Sequence, residues 1–220
     1  MIVTTRHLPE HYARLQQAAS VDDFFSIPFS GVVNAVWMPR TIHGDYTELA
    51  RQLYLVPSWC EQMFEHNHKI RQRLEEVATH VGKVGEAARQ VLADQDMVRA
   101  RGLRVDFRLA GPDYYQFDVY APHMDLGDPQ DQGGTFSCGY TEPTTEWACN
   151  EDCVPAGRTR EGVALFDVKP GAGKHHFAVG DIFRMAAQNN LSHVEGFVHW
   201  APRTRHADGL RMMLMARYDY

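Results

Sequence analysis

The stretch Gly102-Leu103-Arg104-Val105-Asp106-Phe107-Arg108-Leu109 decides the fold class of this chain. Its apolar residues stand at every second position and alternate with arginine and aspartate. Because successive side chains of a β-strand point to opposite faces, this alternation predicts a half-buried strand over residues 103–109. Gly102 therefore marks the point at which the pattern of the chain changes from helical to extended.

More short runs of extended character follow towards the C-terminus, and Gly, Pro, Asn and Asp cluster between them. They cover residues 115–120, 135–140, 163–168, 182–185, 194–199 and 211–218. A succession of many short strands is typical of a β-sandwich or barrel. We therefore expect residues 102–220 to form a β core that carries the functional site.

The first 101 residues have a mostly helical pattern. Residues 11–19 are predicted to form one helix, and residues 32–37 a short strand. Between residues 45 and 101, apolar residues recur at intervals of three and four, which predicts two or three amphipathic helices. The whole chain, 1–220, is thus expected to be a single domain in which residues 1–101 form a helical N-terminal wrap around the β core.

Composition and charge narrow the range of functions. The 220 residues are 44% hydrophobic and 23% charged, and the formal net charge of −6 argues against a broad nucleic-acid surface. No apolar stretch approaches the roughly 18 residues of a membrane span, and residues 1–7 lack the apolar segment of a secretory signal. Four cysteines are too few for a disulfide scaffold. We expect a cytoplasmic protein that acts on a small molecule, with no nucleic-acid or membrane partner and with its oligomeric state left open.

The tripeptide His123-Met124-Asp125 is the strongest candidate for chemistry. Residues i and i+2 of a strand point to one face, so the imidazole of His123 and the carboxylate of Asp125 can hold one cation. A histidine from a distant strand, for which we favour His199, would complete a triad of two histidines and one carboxylate. Such a triad leaves up to three positions of an octahedral metal open, as non-heme Fe(II) oxygenases require. The plainer interpretation is a turn in which Asp125 caps local amides and His123 is a surface residue.

Arg211 is the candidate for binding an acidic co-substrate. It opens the apolar run 212–216, and its guanidinium can form a bidentate pair with the far carboxylate of a keto acid. An arginine at the start of a strand is equally consistent with a solvated surface position.

Another histidine competes for the place of the distal ligand. His193 precedes Arg203 and Arg205 by a number of residues comparable to that between His199 and Arg211, so either arginine could take the role of Arg211. His199 is preferred because it ends a strand-like run and adjoins a proline-containing turn.

The remaining clusters of histidine and cysteine are weaker candidates for a metal site. His175 and His176 are adjacent in an extended segment and point to opposite faces, so at most one of them can take part. Cys149 and Cys153 have a spacing that fits a zinc knuckle poorly, which favours structural thiols.

The order of these motifs resembles the double-stranded β-helix of Fe(II)/2-oxoglutarate-dependent oxygenases. It is similar in particular to a bacterial family of uncharacterised function. That family combines an Asn-Leu-Ala-Ile-Trp-like strand with F-H-x-D, T-Y-x-G-P-G-T-E-W and H-R-S-P segments, followed by an arginine-led apolar strand. The matching segments here are Val33-Asn34-Ala35-Val36-Trp37, Pro122-His123-Met124-Asp125, Gly139-Tyr140-Thr141-Glu142-Pro143-Thr144-Thr145-Glu146-Trp147, and His199-Trp200-Ala201-Pro202 with Arg211.

Two departures from the family pattern stand out. Glu142 and Thr144 replace glycines, so the backbone of that turn is expected to differ. Trp200 replaces an arginine and would re-line the mouth of the site. Neither departure removes a predicted ligand.

The resemblance implies a mainly β (α+β) fold, a double-stranded β-helix of the jelly-roll or cupin-like kind, with a helical N-terminal extension. It implies an Fe(II) cofactor and 2-oxoglutarate as co-substrate, with Arg211 holding the far carboxylate, helped by Tyr140 or Thr141. Oxidative decarboxylation to succinate and CO₂ would drive the oxidation of an unidentified small or medium-sized substrate. The implied metal ligands, which are also the catalytic residues, are His123, Asp125 and His199.

Two other classes of protein fit the same residues. A non-catalytic, cupin-like protein could use these ligands for metal storage, sensing or delivery. A β domain without metal could use its helical N-terminus as a protein interface. Turnover of 2-oxoglutarate separates the first class from the oxygenase, and stoichiometric metal binding separates the second class from both.

Overall fold

A computed structural model describes residues 6–54, 63–110, 117–127, 133–189, 193–202 and 210–218. In this part the chain has a mixed α+β structure with two six-stranded sheets and four α-helices. The helices are α1 (Val21–Ser26), α2 (Tyr46–Tyr54), α3 (Met63–Ala78) and α4 (Lys83–Arg99). The strands are β1 (Leu15–Gln17), β2 (Ala35–Met38), β3 (Leu103–Ala110), β4 (His123–Met124), β5 (Thr135–Gly139), β6 (Glu146–Trp147), β7 (Cys153–Arg158), β8 (Ala164–Val168), β9 (His175–His176), β10 (Ile182–Met185), β11 (His199–Trp200) and β12 (Arg211–Tyr218).

The strands divide between a large and a small sheet. The large sheet has the order β1-β2-β10-β5-β12-β3, and the small sheet has the order β7-β8-β4-β11-β6-β9. The antiparallel pair β12 and β3 runs from Arg211 opposite Ala110 to Tyr218 opposite Leu103. Strands that are distant in sequence are therefore neighbours in space, which brings β4 and β11 side by side.

Two hydrophobic clusters lie on opposite faces of the large sheet. In the first, the apolar residues of β3 pack with residues of α3 and α4, which include Ile70, Leu74, Val91 and Val98. The second joins residues of the large sheet to residues of the small sheet and of the segments next to its strands, namely Ala35, Trp37, Phe183 and Met185 with Trp147, Phe177 and Phe197. Helices thus cover one face of the large sheet and the small sheet covers the other, an arrangement compatible with a β-sandwich.

The alternation at 103–109 predicts β3 correctly, but its charged face is not simply exposed. Asp106 is only 8% exposed, although the pattern predicts a polar face in contact with water. Arg108 donates two hydrogen bonds, of 2.8 and 2.6 Å, to Asp106 Oδ2. Since the apolar residues of β3 face the helices, these two side chains lie on the opposite face, where the small sheet packs.

Three local predictions are wrong. Residues 194–199 are predicted as a strand that ends at His199, but 194–198 are irregular and His199 begins β11. Residues 11–19, predicted as a helix, contain strand β1, which pairs in parallel with β2. Pairing with a distant strand outweighs the weak helical preference of this segment. Within the predicted strand 115–120, Phe117–Tyr120 forms a 3-10 helix, and residues 115 and 116 lie outside the described ranges.

Asn67 of α3 is bonded to the outer side of β3, the last strand of the large sheet. Its Nδ2 donates to the carbonyl of Val105 at 3.2 Å, and its Oδ1 accepts from the amide of Phe107 at 2.9 Å. A side-chain amide therefore replaces a strand partner over these two backbone groups. None of the helices in the described ranges combines the length and apolar character needed to cross a bilayer.

Candidate metal centre

His123, Asp125 and His199 converge at one point. The Nε2 atoms of His123 and His199 lie 3.6 and 3.7 Å from Asp125 Oδ1. One ligand atom from each residue lies within 4.8 Å of the others, and within the described ranges no other set of three or more such residues does so. The structure thus brings together the three residues that the sequence predicts as metal ligands.

Both imidazoles are oriented by the backbone two residues before them. Nδ1 of His123 lies 2.8 Å from the carbonyl oxygen of Ala121, and Nδ1 of His199 lies 3.1 Å from that of Phe197. A carbonyl can only accept, so each Nδ1 carries the proton and donates it. The lone pair of each Nε2 is then directed at the centre of the group, as a metal ligand requires.

Strand pairing sets the positions of the two histidines. His123 of β4 is directly opposite His199 of β11, and their ring centroids are 4.7 Å apart. The segment that leads into β11 is held by two buried amides, since Asn34 Nδ2 and Asn150 Nδ2 both donate to the carbonyl of Gly196, at 3.2 and 2.8 Å. Both imidazoles are therefore fixed by ordered backbone on the two central strands of the site.

Asp125 follows β4 directly and is fixed through its own backbone. Its carbonyl accepts from the amide of Gln188 at 2.9 Å. Thr135 Oγ1 lies 3.4 Å from Asp125 Oδ2, the carboxylate oxygen that does not face the imidazoles. The side chain of Asp125 is 23% exposed, so the group can be reached from solvent on this side.

The charges at the centre match those of a metal site. The pKa of His199 is lowered to about 4, mainly by burial and also by the nearby His123, while the charge of Asp125 opposes the shift. Burial alone would raise the pKa of Asp125, but the two imidazoles and Arg217 outweigh it and hold that pKa well below its usual range. At neutral pH the group therefore offers a neutral imidazole from His199 and an ionised carboxylate from Asp125, which are the forms that bind metals.

The donor set fits a divalent transition metal. Ligand atoms on one face of an octahedral ion, each at about 2.1 Å, lie about 3 Å apart. The distances of 3.6 and 3.7 Å from the two Nε2 atoms to Asp125 Oδ1 would shorten to that value if each side chain moved by a few tenths of an ångström. Two imidazoles and one carboxylate are the ligand set of facial-triad sites that keep open coordination positions.

Arg211 lies beside this group and is buried, with 5% of its surface exposed. Its guanidinium donates a hydrogen bond of 2.8 Å to Thr145 Oγ1, and its charge contributes to the low pKa of His199. The predicted carboxylate-binding arginine is thus held close to the predicted metal ligands. Sequence reasoning missed Thr145 as its partner, although Thr145 lies within the segment that resembles the family.

The two predicted helpers of Arg211 have other contacts. Thr141 Oγ1 donates to the carbonyl of Leu210 and accepts from the amide of Met212, both at 2.8 Å, so it ties down the backbone on either side of Arg211. The hydroxyl of Tyr140 donates to Asp94 Oδ2 at 2.7 Å. Its ring stacks on Tyr46 in the cluster between the large sheet and the helices.

The rival histidines lie away from the centre. His193 is exposed and has a φ of 53°. His175 is buried against Trp147 and stacks on His7, with ring centroids 5.1 Å apart. Arg203 and Arg205, the rivals of Arg211, lie outside the described residues.

Cys149 and Cys153 are free thiols joined by one hydrogen bond from a side chain to the backbone. Cys153 Sγ donates to the carbonyl of Cys149 at 3.4 Å. Burial raises the pKa of each thiol to about 11, and the charge of Asp152 adds to both shifts. Protonated thiols are poor metal ligands at neutral pH, which favours a structural role.

Comparison of the chain with protein-family models, with curated proteins and with solved structures finds no match in any of the three.

Proposed function

We propose that this chain is a non-heme Fe(II)/2-oxoglutarate-dependent oxygenase that oxidises a small or medium-sized substrate. One observation carries the proposal: a buried arginine lies next to a two-histidine, one-carboxylate group. Arg211 donates a hydrogen bond to Thr145, which directly precedes the strand paired with His199, and this bond fixes the direction of the guanidinium. A keto acid that binds the metal through its ketone and near carboxylate needs a cationic partner for its far carboxylate at such a position.

The sheet order supports a double-stranded β-helix, the fold proposed here. Eight strands are divided equally between the sheets: β3, β5, β10 and β12 lie in the large sheet, and β4, β6, β9 and β11 lie in the small sheet. Along the chain, every step from one of these strands to the next changes sheet except the step from β6 to β9. Their orders, β10-β5-β12-β3 and β4-β11-β6-β9, are those of a chain that crosses repeatedly from one sheet to the other. Such crossing is typical of jelly rolls, in which two four-stranded sheets enclose a site.

Each residue of the site has a distinct role in the proposed reaction. When bound, Fe(II) would supply the O₂ chemistry for oxidative decarboxylation of 2-oxoglutarate to succinate and CO₂. His123, Asp125 and His199 would occupy one face of the ion and leave the other to co-substrate and O₂. Arg211 would orient the co-substrate through a charge-assisted pair. The burial of both imidazoles and of Arg211 would keep bulk water away from the reacting atoms.

The test is an anaerobic titration of the apo-protein with Fe(II) and then with 2-oxoglutarate, followed by the visible metal-to-ligand charge-transfer band. Wild type should give the band, His123→Ala and His199→Ala should lose it with the metal, and Arg211→Met should require a much higher concentration of 2-oxoglutarate. His193→Asn is the matched control, because asparagine tolerates the positive φ at this exposed position.

The outcomes separate the three classes of function. Metal binding without the band, in wild type, would contradict the oxygenase and favour metal storage, sensing or delivery. Absence of stoichiometric metal binding would contradict both. Loss of the band in His193→Asn but not in His199→Ala would assign the distal ligand to His193 instead.

A further inference from the structure

Strand β12 shows which residues of the large sheet face the group of candidate ligands His123, Asp125 and His199, called the metal group below. Arg211 and Arg217 lie on the same face of this strand, at opposite ends of it. Thr145, which accepts a hydrogen bond from Arg211, directly precedes β6, the strand that pairs with His199. Thr135, which lies 3.4 Å from Asp125, directly precedes the residue of β5 opposite Ala216, so Asp125 is at the Arg217 end of β12. The metal group therefore lies between the two arginines, and we call this side of the large sheet the inner face.

Strand register identifies the neighbours of β12 on the inner face. Met215 is opposite Asp106 of β3 on one side and opposite Ser137 of β5 on the other. Met213 is opposite Arg108 of β3. Since directly opposite residues of antiparallel strands point to the same side, all five side chains belong to the inner face.

Ser137 has a buried hydroxyl that no group satisfies. The residue is 1% exposed, and its Oγ has no hydrogen-bond partner in the described part of the chain. Thr135, two residues earlier on the same face, reaches Asp125, so Ser137 lies near the metal group. A buried hydroxyl without a partner costs free energy, and a polar group of a ligand would supply the missing hydrogen bond.

The charges of the inner face on the Asp125 side are predominantly positive. Asp106 is neutralised by Arg108, with the nearest atoms 2.6 Å apart. Within the described ranges, the guanidinium of Arg217 has no carboxylate at ion-pair distance. The nearby negative charge of Asp125 would be neutralised by a bound metal ion, so it would not compensate Arg217. A cationic region next to the site, in a protein of net charge −6, favours an anion over a cation.

An apolar wall lies next to these cationic groups. Met213 and Met215 are 4% and 7% exposed, and they occupy the inner face between Arg211 and Arg217. Methionine side chains adapt to apolar ligands of varied shape. The inner face thus combines an apolar surface, an unsatisfied hydroxyl and a cationic end.

We propose that the inner face on the Asp125 side of the metal group binds an anionic substrate, whose carboxylate or phosphate is held by Arg217 and whose apolar part lies against Met213 and Met215. The identification of the ligand as the substrate rests on the proposed oxygenase function. In this arrangement the co-substrate and the substrate bind through arginines at opposite ends of the inner face. The metal then lies between them, next to the apolar part of the substrate.

The test is the binding of four probes of equal chain length to the Zn(II)-loaded protein, measured by calorimetry with 2-oxoglutarate at saturation so that Arg211 is occupied. Hexanoate and hexyl phosphate should bind at least about tenfold more tightly than hexanol and hexylammonium. Arg217→Gln should remove about tenfold of that preference, and Arg217→Lys should retain part of it. Arg158→Gln, at an exposed position of β7, is the matched control. In Arg211→Met without 2-oxoglutarate the preference for anions should persist.

Equal binding of hexanoate and hexanol, preference for hexylammonium, or an unchanged preference in Arg217→Gln would each overturn the inference. The choice between carboxylate and phosphate follows from which of the two anionic probes binds more tightly. Melting temperatures accompany every variant, and if Arg217→Gln does not fold, the wild-type series alone decides. A charge-transfer band without a preference for anions would support the oxygenase function and contradict the anionic substrate. A preference for anions without the band would support an anion site and contradict the oxygenase function.

Discussion

His123 and His199 are directly opposite residues on neighbouring antiparallel strands. Because side chains alternate between the two faces of a strand, a slip of one residue in this pairing would turn one imidazole away from the other. The β4–β11 register is thus the condition under which two histidines distant in sequence can bind one ion.

Asp125 supplies the only negative charge among the three candidate ligands. We expect Asp125→Asn to weaken divalent metal binding by about 100-fold or more, since even residues outside the ligand set commonly contribute tenfold to 100-fold. Titration with Co(II), whose visible spectrum reports coordination, measures the effect. Asp167→Asn, at an exposed position of β8, is the control. Equal affinity in the two variants would remove Asp125 from the ligand set.

Thr145 and Thr141 are expected to give opposite phenotypes. Thr145→Val removes the hydroxyl that holds the guanidinium of Arg211 and should weaken 2-oxoglutarate binding by about tenfold with little loss of metal affinity. Thr141→Val removes two bonds to the backbone of residues 210 and 212 and should lower the free energy of unfolding by about 1–3 kcal/mol. Charge-transfer titration and urea unfolding of both variants separate binding from stability. A larger binding defect in Thr141→Val would reverse the two assignments.

Asp94 lies at the centre of a buried polar network between α4 and the large sheet. Arg40 binds its two carboxylate oxygens at 2.6 and 2.8 Å, and Tyr140 donates to it as well. We expect Tyr140→Phe to lower the free energy of unfolding by about 1 kcal/mol, and Asp94→Ala to lower it by about 3–5 kcal/mol because Arg40 is left buried without its partner. Denaturant unfolding measures both values. A smaller loss in Asp94→Ala than in Tyr140→Phe would contradict this account.

The thiols of Cys149 and Cys153 should react slowly with iodoacetamide. Burial raises the pKa of each from an ordinary thiol value to about 11, so the reactive thiolate is about 100-fold scarcer at pH 8. The rate of alkylation should therefore stay low through pH 9 and increase as the pH approaches 11. Peptide-resolved mass spectrometry over a pH series measures each site, with the urea-unfolded protein as the control. Rapid alkylation at pH 7 would indicate an activated thiol.

Local patterns in the sequence were enough to predict several of the strands and the proximity of His123 and Asp125, but not which strands pair with each other. The alternation at 103–109 predicts β3, and the H-x-D spacing predicts that His123 and Asp125 share a centre, because both arguments depend only on near neighbours. The choice of His199 over His193 depends on the β4–β11 register, which a single sequence does not contain. The polar face of β3 could not be assigned to the inner face, since alternation does not say which side meets water.

Asn67, which binds the outer side of β3, has a consequence for self-association. An edge strand exposes amides and carbonyls that can pair with the edge of another molecule and begin aggregation. Here helix α3 occupies two of these groups with one side chain, at Val105 and Phe107. A copy of the same protein therefore meets a blocked edge at this point. The side chain of Asn67 thus hinders intermolecular β-pairing at the middle of β3 without any additional strand.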